Sequence, residues 1–486
     1  MALDQILQKN LSQQLAIIYQ HQQKTYQELI ELSDSLACKF IESGIKKGNR
    51  VALFIHNCLE MVICYFAIFK VGAVAVPINT RFKSYELAYA LQHSEANLLF
   101  IEDELLPLYK EIELSFVKLK IFLPSSIQKL KTKNIKKPEV GIDANDLACI
   151  LYTSGTTGKP KGVMHTHDSL LNTAINQSTT LELDKSSQVL ITLPICHMAG
   201  FAGQMLTTLY AGGLIILVKQ FDPELVLNTI QKYQISQLMM LPMQIEQLIQ
   251  HPNNTQLSFI KQCIVGGDKV PLTVHHLFHK ITGNYLIECC GMTESLSYSI
   301  NYPDNGKHAG SIGKSIHATK LKIIDNEGHE LATNETGEVL VKSLANSIGY
   351  WRNPEATQQL LKNDWLYTGD LACKDENGYF WFQGRKKDII IRGGSNISPL
   401  EVEDVLYQHP AVKEVGVIGY PDVSLGQIVH AYVVLNDNQS LSEVDLKQFA
   451  SRFLADYKIP AKIIFKTSLP HNALGKLDRK KLSKDD

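Results

Sequence analysis

The chain has 486 residues, more than one hydrophobic core usually supports, so its length predicts two or more domains. Lysines and arginines number 48 and aspartates and glutamates 49, and this balance argues against binding to nucleic acid or to an anionic membrane. The most apolar region, residues 61–78, contains Lys70, Gly72 and Pro77, which makes it too interrupted for a membrane span.

The first hundred residues alternate helical periodicity with short apolar runs. We predict helices over residues 26–43 and 59–69, each followed by a strand, at residues 51–55 and 72–77. These strands lack polar alternation, so both of their faces are expected to be buried in a parallel sheet covered by helices. Similar runs at 189–194, 213–218 and 262–266 extend the pattern, and the large amino-terminal part is therefore predicted to be layered α/β.

Residues 153–162 form a run rich in glycine, hydroxyl groups and lysine. Glycines let the backbone approach a ligand closely, while backbone N–H groups, hydroxyls and two lysines offer donors and charge to phosphate oxygens. The run is not a Walker loop, because only Thr156 and Thr157 separate two of the glycines and Pro160 follows Lys159. A flexible turn is the simpler interpretation, but the density of donors favours a phosphate-binding loop.

Other segments carry groups suited to a nucleotide, each with a simpler alternative. Thr293 and Glu294 pair a hydroxyl with a carboxylate that suits Mg²⁺ and phosphate, although a helix N-terminus capped by Thr293 is the alternative. Asp370 suits two vicinal hydroxyls, with an ordinary turn as the alternative. Lys476 is one of many cations in the last hundred residues, and a lone histidine such as His197 is more often a packing residue.

The pattern of apolar runs is interrupted near residue 384 by a short polar segment, residues 385–388, which we call the joint. A strand is predicted at 389–392, and Ser398 is expected to cap a helix through a capping box with Glu401. Strands near 414–420, 431–435 and 461–466 and a helix near 442–454 complete a small α+β unit. The joint is a candidate hinge.

Nine cysteines show neither a C-x-x-C pair nor zinc-like spacing. With no cleavable-looking amino terminus, reduced thiols and a cytoplasmic location are expected. The histidine groups His165/His167 and His275/His276/His279 lack companion ligands at metal-binding spacing, so we expect surface or packing residues.

The run at 153–162 resembles the signature loop of the adenylate-forming superfamily, which includes acyl-CoA synthetases, luciferases and the adenylation domains of peptide synthetases. Segments around His197, Glu294, Asp370, Arg385 and Lys476 resemble further motifs of that family, in the same order. The resemblance implies an α/β fold, with a large amino-terminal part of several subdomains built from layered β-sheets and helices and a small, mobile α+β carboxy-terminal domain. It fits domains at residues 1–384 and 389–486 joined by a hinge at 385–388.

The family's roles carry over to the matching positions. Lys161, Lys476 and Glu294 are expected to be catalytic, with Glu294 also the Mg²⁺ ligand. His197, Gly267 and Gly291 are expected to line the acid pocket. The residues expected to contact ATP or CoA are Thr153, Ser154, Gly155, Thr156, Thr157, Gly158, Gly267, Asp268, Cys290, Gly291, Thr293, Asp370, Arg385, Lys387, Gly393, Gly394 and Asn396.

Two positions depart from the family pattern. Cys290 stands where an aromatic residue normally stacks on adenine, a contact worth roughly 1–3 kcal/mol, so weaker nucleotide binding is expected. Ile391 stands where many relatives have a lysine, and the phosphate contacts of that position are therefore open.

The resemblance implies an ATP-dependent acid–CoA ligase that uses Mg²⁺: a carboxylic acid becomes an acyl-adenylate with release of pyrophosphate, and CoA then displaces AMP. A medium- or long-chain fatty acid is favoured, and an aryl acid such as o-succinylbenzoate stays an alternative. A pseudoenzyme that binds nucleotide or acyl-CoA is a further alternative, whereas a Rossmann oxidoreductase lacks its G-x-G-x-x-G sequence. The acid, ATP and CoA are the expected partners, and the oligomeric state, for example a homodimer, is open.

Overall fold

The computed structural model describes residues 2–112, 120–129, 140–153, 160–268, 270–302, 306–393, 395–472 and 475–482. They form two compact units: unit 1 comprises Met1–Leu321 and Val341–Tyr367, and unit 2 comprises Lys322–Leu340 and Thr368–Asp486. Residues 322–340 and 368–384 thus cluster with the carboxy-terminal residues, while the hinge at 385–388 and the division 1–384/389–486 stay predictions.

The strands are, in chain order, β1 Leu15–Tyr19, β2 Gln22–Thr25, β3 Arg50–Phe54, β4 Val74–Pro77, β5 Leu98–Ile101, β6 Lys120–Phe122, β7 Leu147–Thr153, β8 Lys161–Thr166, β9 Gln188–Ile191, β10 Leu214–Leu217, β11 Gln237–Met240, β12 Gln262–Gly266, β13 Ile287–Met292, β14 Ser295–Asn301, β15 Lys314–Ser315, β16 Thr319–Ile324, β17 Gly337–Ser343, β18 Leu361–Lys362, β19 Trp365–Lys374, β20 Phe380–Arg385, β21 Ile390–Arg392, β22 Ser395–Ile397, β23 Val412–Asp422, β24 Gly426–Leu435 and β25 Lys462–Phe465.

The α-helices are α1 Tyr26–Glu42, α2 Leu59–Val71, α3 Ser84–His93, α4 Leu106–Lys110, α5 His167–Thr180, α6 Thr207–Ala211, α7 Pro223–Tyr233, α8 Pro242–Gln250, α9 Leu272–Thr282, α10 Pro354–Leu360, α11 Pro399–Tyr407, α12 Glu443–Ala450 and α13 Arg479–Leu482. Short 3₁₀ helices cover Leu3–Lys9, Asp103–Leu105, Pro124–Lys129, Asn254–Phe259 and Asp456–Lys458, and a π-helix covers Ala199–Leu206. The predicted layered α/β class is confirmed. Within the described residues, no helix has the length and apolar character needed to cross a membrane.

Two large sheets organise unit 1. One has the order β15-β14-β13-β12-β11-β9-β10-β1-β2 and the other β6-β5-β3-β4-β7-β8. The solid apolar runs predicted as buried strands are parallel strands of these sheets, as for β3 with β4 and for β11 with β12. Antiparallel pairs occur at the ends, including β13 with β14 and β7 with β8. The candidate site lies at these two antiparallel hairpins.

Helix α2 forms part of the core of unit 1, because all of its residues are buried. It belongs to a hydrophobic cluster that also contains Ile17 of one large sheet and Val51 of the other. The Lys70 ammonium within α2 is buried but pairs with the Asp34 carboxylate at 2.5 Å and donates to the Ile30 carbonyl at 3.1 Å. The apolar stretch at 61–78 is therefore a core helix and a core strand, with its one charge compensated.

Unit 2 contains a sheet of order β22-β21-β24-β23, with β25 on β24, packed against α11 and α12. A further sheet has the order β16-β17-β19-β18, with β20 paired to β19. Ser398 is the N-cap of α11, but the predicted capping box is wrong. The Ser398 hydroxyl donates to the Gln383 carbonyl at 2.5 Å, and Glu401 instead pairs with Lys458 at 2.5 Å.

Candidate active site

The Thr293–Glu294 pair forms the two-residue turn of the β13–β14 hairpin, in which Met292 faces Ser295. The alternative of a helix N-terminus capped by Thr293 is therefore wrong. Gly291 lies at a β-bulge just before this turn, and a Cβ there would be 2.2 Å from the Ser297 nitrogen. Only glycine fits such a close backbone approach, so the bulge that directs Glu294 depends on it.

Glu294 is held by a tyrosine that the sequence pattern did not single out. The side chain of Glu294 is buried, and its Oε1 accepts a 2.6 Å hydrogen bond from the Tyr350 hydroxyl. The Lys161 Nζ lies 4.9 Å from the centroid of the same tyrosine ring. Tyr350 therefore contacts both the predicted Mg²⁺ ligand and one of the predicted catalytic lysines.

The segment containing Tyr350 runs beside strand β8. Val163 and Tyr350 form an antiparallel bridge, the Met164 amide donates to the Gly349 carbonyl at 2.9 Å, and the Trp351 amide donates to the Gly162 carbonyl at 2.7 Å. At its start, the Ser347 amide donates to the Glu294 carbonyl at 2.8 Å. The strand that begins at Lys161 and the turn that carries Glu294 are thus tied to one backbone segment.

His165 fixes the other side of the turn. Its Nε2 donates to the Thr293 carbonyl at 2.8 Å, and its Nδ1 lies 3.2 Å from the Ser169 hydroxyl. Burial lowers the pKa of His165 to about 4, so the ring is neutral at pH 7. The packing role expected for His165 is therefore too narrow, because this ring also holds the turn.

The predicted phosphate loop joins β7 to β8, whose ends pair Thr153 with Lys161. Its residues Ser154, Gly155, Thr156, Thr157 and Gly158 lie outside the described residues. The Thr153 hydroxyl donates to the Lys161 carbonyl at 3.5 Å. The two ends of the predicted loop are therefore brought together at the strand pair that presents Lys161.

Strand β12 ends beside the hairpin and brings the predicted Gly267 and Asp268 next to it, because Gly266 pairs with Cys289 in the parallel β12–β13 register. Gly267 adopts a positive φ of 88°, and Asp268 is exposed. The Cys290 thiol lies 3.0 Å from the Tyr298 hydroxyl. This position, where an aromatic ring was expected from the family pattern, therefore contacts a buried phenol.

His197 precedes the π-helix Ala199–Leu206, and its carbonyl accepts from the Phe201 amide at 2.8 Å. Such π-helical turns are frequent at functional sites. A Cβ at Gly203, within this π-helix, would lie 2.9 Å from the Leu296 side chain, two residues beyond Glu294. Beside Gly203 a small cavity is lined mainly by apolar side chains, with three polar ones: Leu181, Leu183, Val189, Leu238, Met239, Ile264, Gln204, Thr208 and Gln237.

In unit 2 the predicted ribose and hinge residues lie on adjacent strands. Asp370 on β19 pairs with Arg385 on β20, and the Arg385 Nε lies 2.9 Å from the Asp370 Oδ1. The Asp370 side chain is 1% exposed and the Arg385 side chain 40%, so the carboxylate of this ion pair is buried while the guanidinium remains accessible to solvent. The next lysine, Lys386, pairs with Glu338 at 3.1 Å, and Lys387 is exposed. The structure thus joins two motifs that lie apart in the sequence.

The other predicted contacts of unit 2 lie on separate elements. Gly393 has a φ of 55° and donates to the Leu425 carbonyl at 2.8 Å, and Asn396 lies opposite Ile391 in the β21–β22 pair. Gly394 lies outside the described residues. Lys476 follows a turn in which its amide donates to the Asn472 side chain at 3.1 Å and its carbonyl accepts from the Asn472 amide at 2.8 Å.

Comparison with known families gives two matches. Residues 5–351 match the family model of the AMP-binding enzyme, and residues 401–476 match that of the AMP-binding enzyme C-terminal domain. These two matched segments include every described candidate residue except Asp370, Arg385, Lys387, Gly393 and Asn396.

Curated relatives match over nearly the whole chain. A long-chain-fatty-acid–CoA ligase of Bacillus subtilis is 34% identical, covering 97% of this chain and 91% of its own. A 2-succinylbenzoate–CoA ligase of Geobacillus kaustophilus is 32% identical, covering 95% and 93%.

Solved structures are also similar to this chain over its whole length. ATP-bound MatB from Rhodopseudomonas palustris has a TM-score of 0.93 at 29% identity, covering 100% of this chain and 99% of its own. The o-succinylbenzoate coenzyme A synthetase of Bacillus subtilis, in complex with ATP and magnesium ion, has a TM-score of 0.89 at 29% identity, with the same coverage.

Proposed function

The chain belongs to the AMP-binding enzyme family, and from that membership we propose how its residues share the work of an AMP-forming acid–CoA ligase. The chain matches CoA ligases over almost their full length, and its enzyme class follows from that match. The reactants besides the acid are ATP and CoA, and the metal is Mg²⁺. The observation that carries the residue assignment is the buried Glu294 carboxylate, hydrogen-bonded by Tyr350, whose ring also contacts Lys161.

The residues near Glu294 fit a magnesium ion. Mg²⁺ prefers hard oxygen ligands and is commonly bound by one or two carboxylates together with the phosphates of a substrate. Glu294 offers a carboxylate that is 6% exposed, next to the Thr293 hydroxyl and to the strands that flank the phosphate loop. When bound, the ion would supply positive charge that offsets the repulsion between the substrate carboxylate and the ATP phosphates.

Adenylation needs no nucleophile from the protein. A carboxylate oxygen of the acid attacks the α-phosphorus of ATP, a new C–O–P bond forms, and the bond to the β-phosphate breaks to release pyrophosphate. Lys161 at the end of the phosphate loop and Lys476 from unit 2 are proposed to stabilise the negative charge of this transition state. Asp370 is proposed to accept the ribose hydroxyls and so to orient the α-phosphate.

In the second half-reaction the CoA thiolate attacks the carbonyl carbon of the acyl-adenylate, the thioester bond forms, and AMP leaves. The residues proposed to line the path of CoA are Gly393, Gly394 and Asn396. We propose that the residues after 388 rotate about a hinge at 385–388 between the two steps. Lys476 would face the reacting groups during adenylation, and Gly393, Gly394 and Asn396 would face them during thioester formation.

For the acid we propose a medium- or long-chain fatty acid. The supporting observation is that a long-chain-fatty-acid–CoA ligase is 34% identical over 97% of this chain. An aryl acid is the second candidate, because 2-succinylbenzoate–CoA ligases are 32% identical.

A panel of acids tests both proposals. Aliphatic acids of increasing length and substituted aryl acids are scored by acid-dependent pyrophosphate release, with and without CoA. We expect the highest kcat/KM for an aliphatic acid of intermediate or long chain. A preference for an aryl acid would select the second candidate, and folded protein that turns over none of these acids would contradict the ligase assignment.

A further inference from the structure

Tyr350 lies between two groups of opposite charge to which the proposed function assigns roles in the reaction. Its hydroxyl contacts the Glu294 carboxylate, and its ring contacts the Lys161 ammonium. We infer that Tyr350 is a positioning residue for adenylation: it fixes Glu294 for the metal and Lys161 for the nucleotide, a role that rests on the proposed function.

The hydrogen bond has the features of a strong restraint. A carboxylate only accepts, so the phenol must be the donor, and the 2.6 Å separation is typical of a charge-assisted O–H···O⁻ bond. Tyr350 is 9% exposed and Glu294 is 6% exposed, so water competes little for either group. The bond therefore selects one orientation of the carboxylate before the metal binds, and less order has to be created in the transition state.

The contact with Lys161 works through the face of the ring. At 4.9 Å from the centroid, the ammonium is attracted by the negative face of the aromatic system, and its charge makes the phenol a better donor to Glu294. Among the described residues no carboxylate forms an ion pair with Lys161. The ring thus holds the lysine without neutralising it, which keeps its charge available to an anionic substrate.

The backbone that carries Tyr350 is itself restrained. The Tyr350 amide donates to the Thr357 hydroxyl at 2.9 Å, in addition to the bonds that tie this segment to β8 and to the Glu294 carbonyl. Gly349 before it adopts a φ of 117°, and a Cβ there would lie 2.3 Å from the Thr357 side chain. Because the backbone of this segment is restrained, the Tyr350 ring has little conformational freedom. A positioning residue needs such rigidity.

The test is the variant Tyr350→Phe, which keeps the ring and removes only the hydroxyl. We expect adenylation, measured as acid-dependent ATP–pyrophosphate exchange, to slow by roughly 10- to 100-fold, the usual effect of losing a hydrogen bond to a charged group. The Mg²⁺ concentration at half-maximal rate should rise in parallel, and the Mg²⁺ dependence of ATP binding, measured by calorimetry without the acid, should shift in the same direction. Thioester formation from preformed acyl-adenylate and CoA should keep its wild-type rate, which a general loss of structure would not allow.

The matched control is Tyr26→Phe. The Tyr26 hydroxyl is also buried and donates to the Gly213 carbonyl at 2.7 Å, in the same unit but in no contact assigned to the reaction. This control should lose comparable stability and keep the wild-type Mg²⁺ dependence. If both variants shift the Mg²⁺ dependence alike, Tyr350 is merely structural and the inference fails.

Combination with Glu294→Gln separates this inference from the function on which it rests. Tyr350 acts through Glu294, so the double variant should exchange pyrophosphate no more slowly than Glu294→Gln alone. A normal rate and Mg²⁺ dependence in Tyr350→Phe, with Glu294→Gln impaired, would overturn only the role of Tyr350. A normal Mg²⁺ dependence in Glu294→Gln would overturn the metal assignment and the inference with it.

Discussion

Acidification is expected to destabilise unit 1 through two buried histidines, His165 near the end of β8 and His167 at the start of α5. His165 and His167 are both 0% exposed, and burial lowers the pKa of each to about 4. His167 packs edge-on against the Phe69 ring at 5.7 Å, and neither of its ring nitrogens has a hydrogen-bond partner among the described residues. It is the better position to perturb, because His165 also holds the Thr293 carbonyl.

The sign of this pH dependence follows from the pH at which the histidine binds a proton in the folded and in the unfolded state. In the unfolded chain the histidine has its ordinary pKa of 6.5, whereas the folded ring binds a proton only near pH 4. Between these values the unfolded state holds more protons, so the free energy of unfolding falls as the pH falls through this window. At about 1.4 kcal/mol per pH unit, each histidine lowers the stability by about 2 kcal/mol at pH 5 and by about 3 kcal/mol at pH 4.

The variant His167→Leu removes one of these two contributions. We expect its free energy of unfolding, relative to wild type, to be about 2 kcal/mol higher at pH 5 than at pH 8, which means a relatively more stable variant at the lower pH. The measurement is urea unfolding followed by tryptophan fluorescence at both pH values, where refolding recovers the signal. Any change in packing contributes equally at both pH values and cancels. Parallel pH dependences for the two proteins would refute the argument.

Other predictions concern the reaction. Lys476→Ala should slow ATP–pyrophosphate exchange by on the order of 10²–10³-fold and spare thioester formation from preformed acyl-adenylate; equal damage to both steps would contradict the proposed rotation at residues 385–388. Cys290→Tyr should tighten ATP binding, measured by calorimetry, by up to about 1–3 kcal/mol, and an unchanged affinity would remove this position from the adenine site. Asp370→Asn should raise the KM for ATP by about tenfold and reduce discrimination against 2′-deoxy-ATP; undiminished discrimination would contradict the ribose contact.

The sequence by itself determined the fold class and several of the strands and helices. Apolar runs such as the one that forms β12 predict buried parallel strands because they leave no face for water, and β12 pairs in parallel with both of its neighbours, β11 and β13. Helical periodicity located α1 and α2 to within two residues at each end. The residues expected to contact ATP were proposed from chemistry that is local in the chain, such as a phosphate loop or a paired hydroxyl and carboxylate, and from the family resemblance; they stay predictions.

Tertiary structure decided which residues support that chemistry. Tyr350 lies 56 positions from Glu294, and His165 lies 128 positions from the Thr293 carbonyl to which it donates. The predicted capping box at Ser398 was wrong for the same reason, because the Ser398 hydroxyl donates to a carbonyl 15 positions away in the sequence. A hydrogen bond between distant segments leaves no periodicity or spacing in the sequence, since its geometry exists only once sheets and helices have packed.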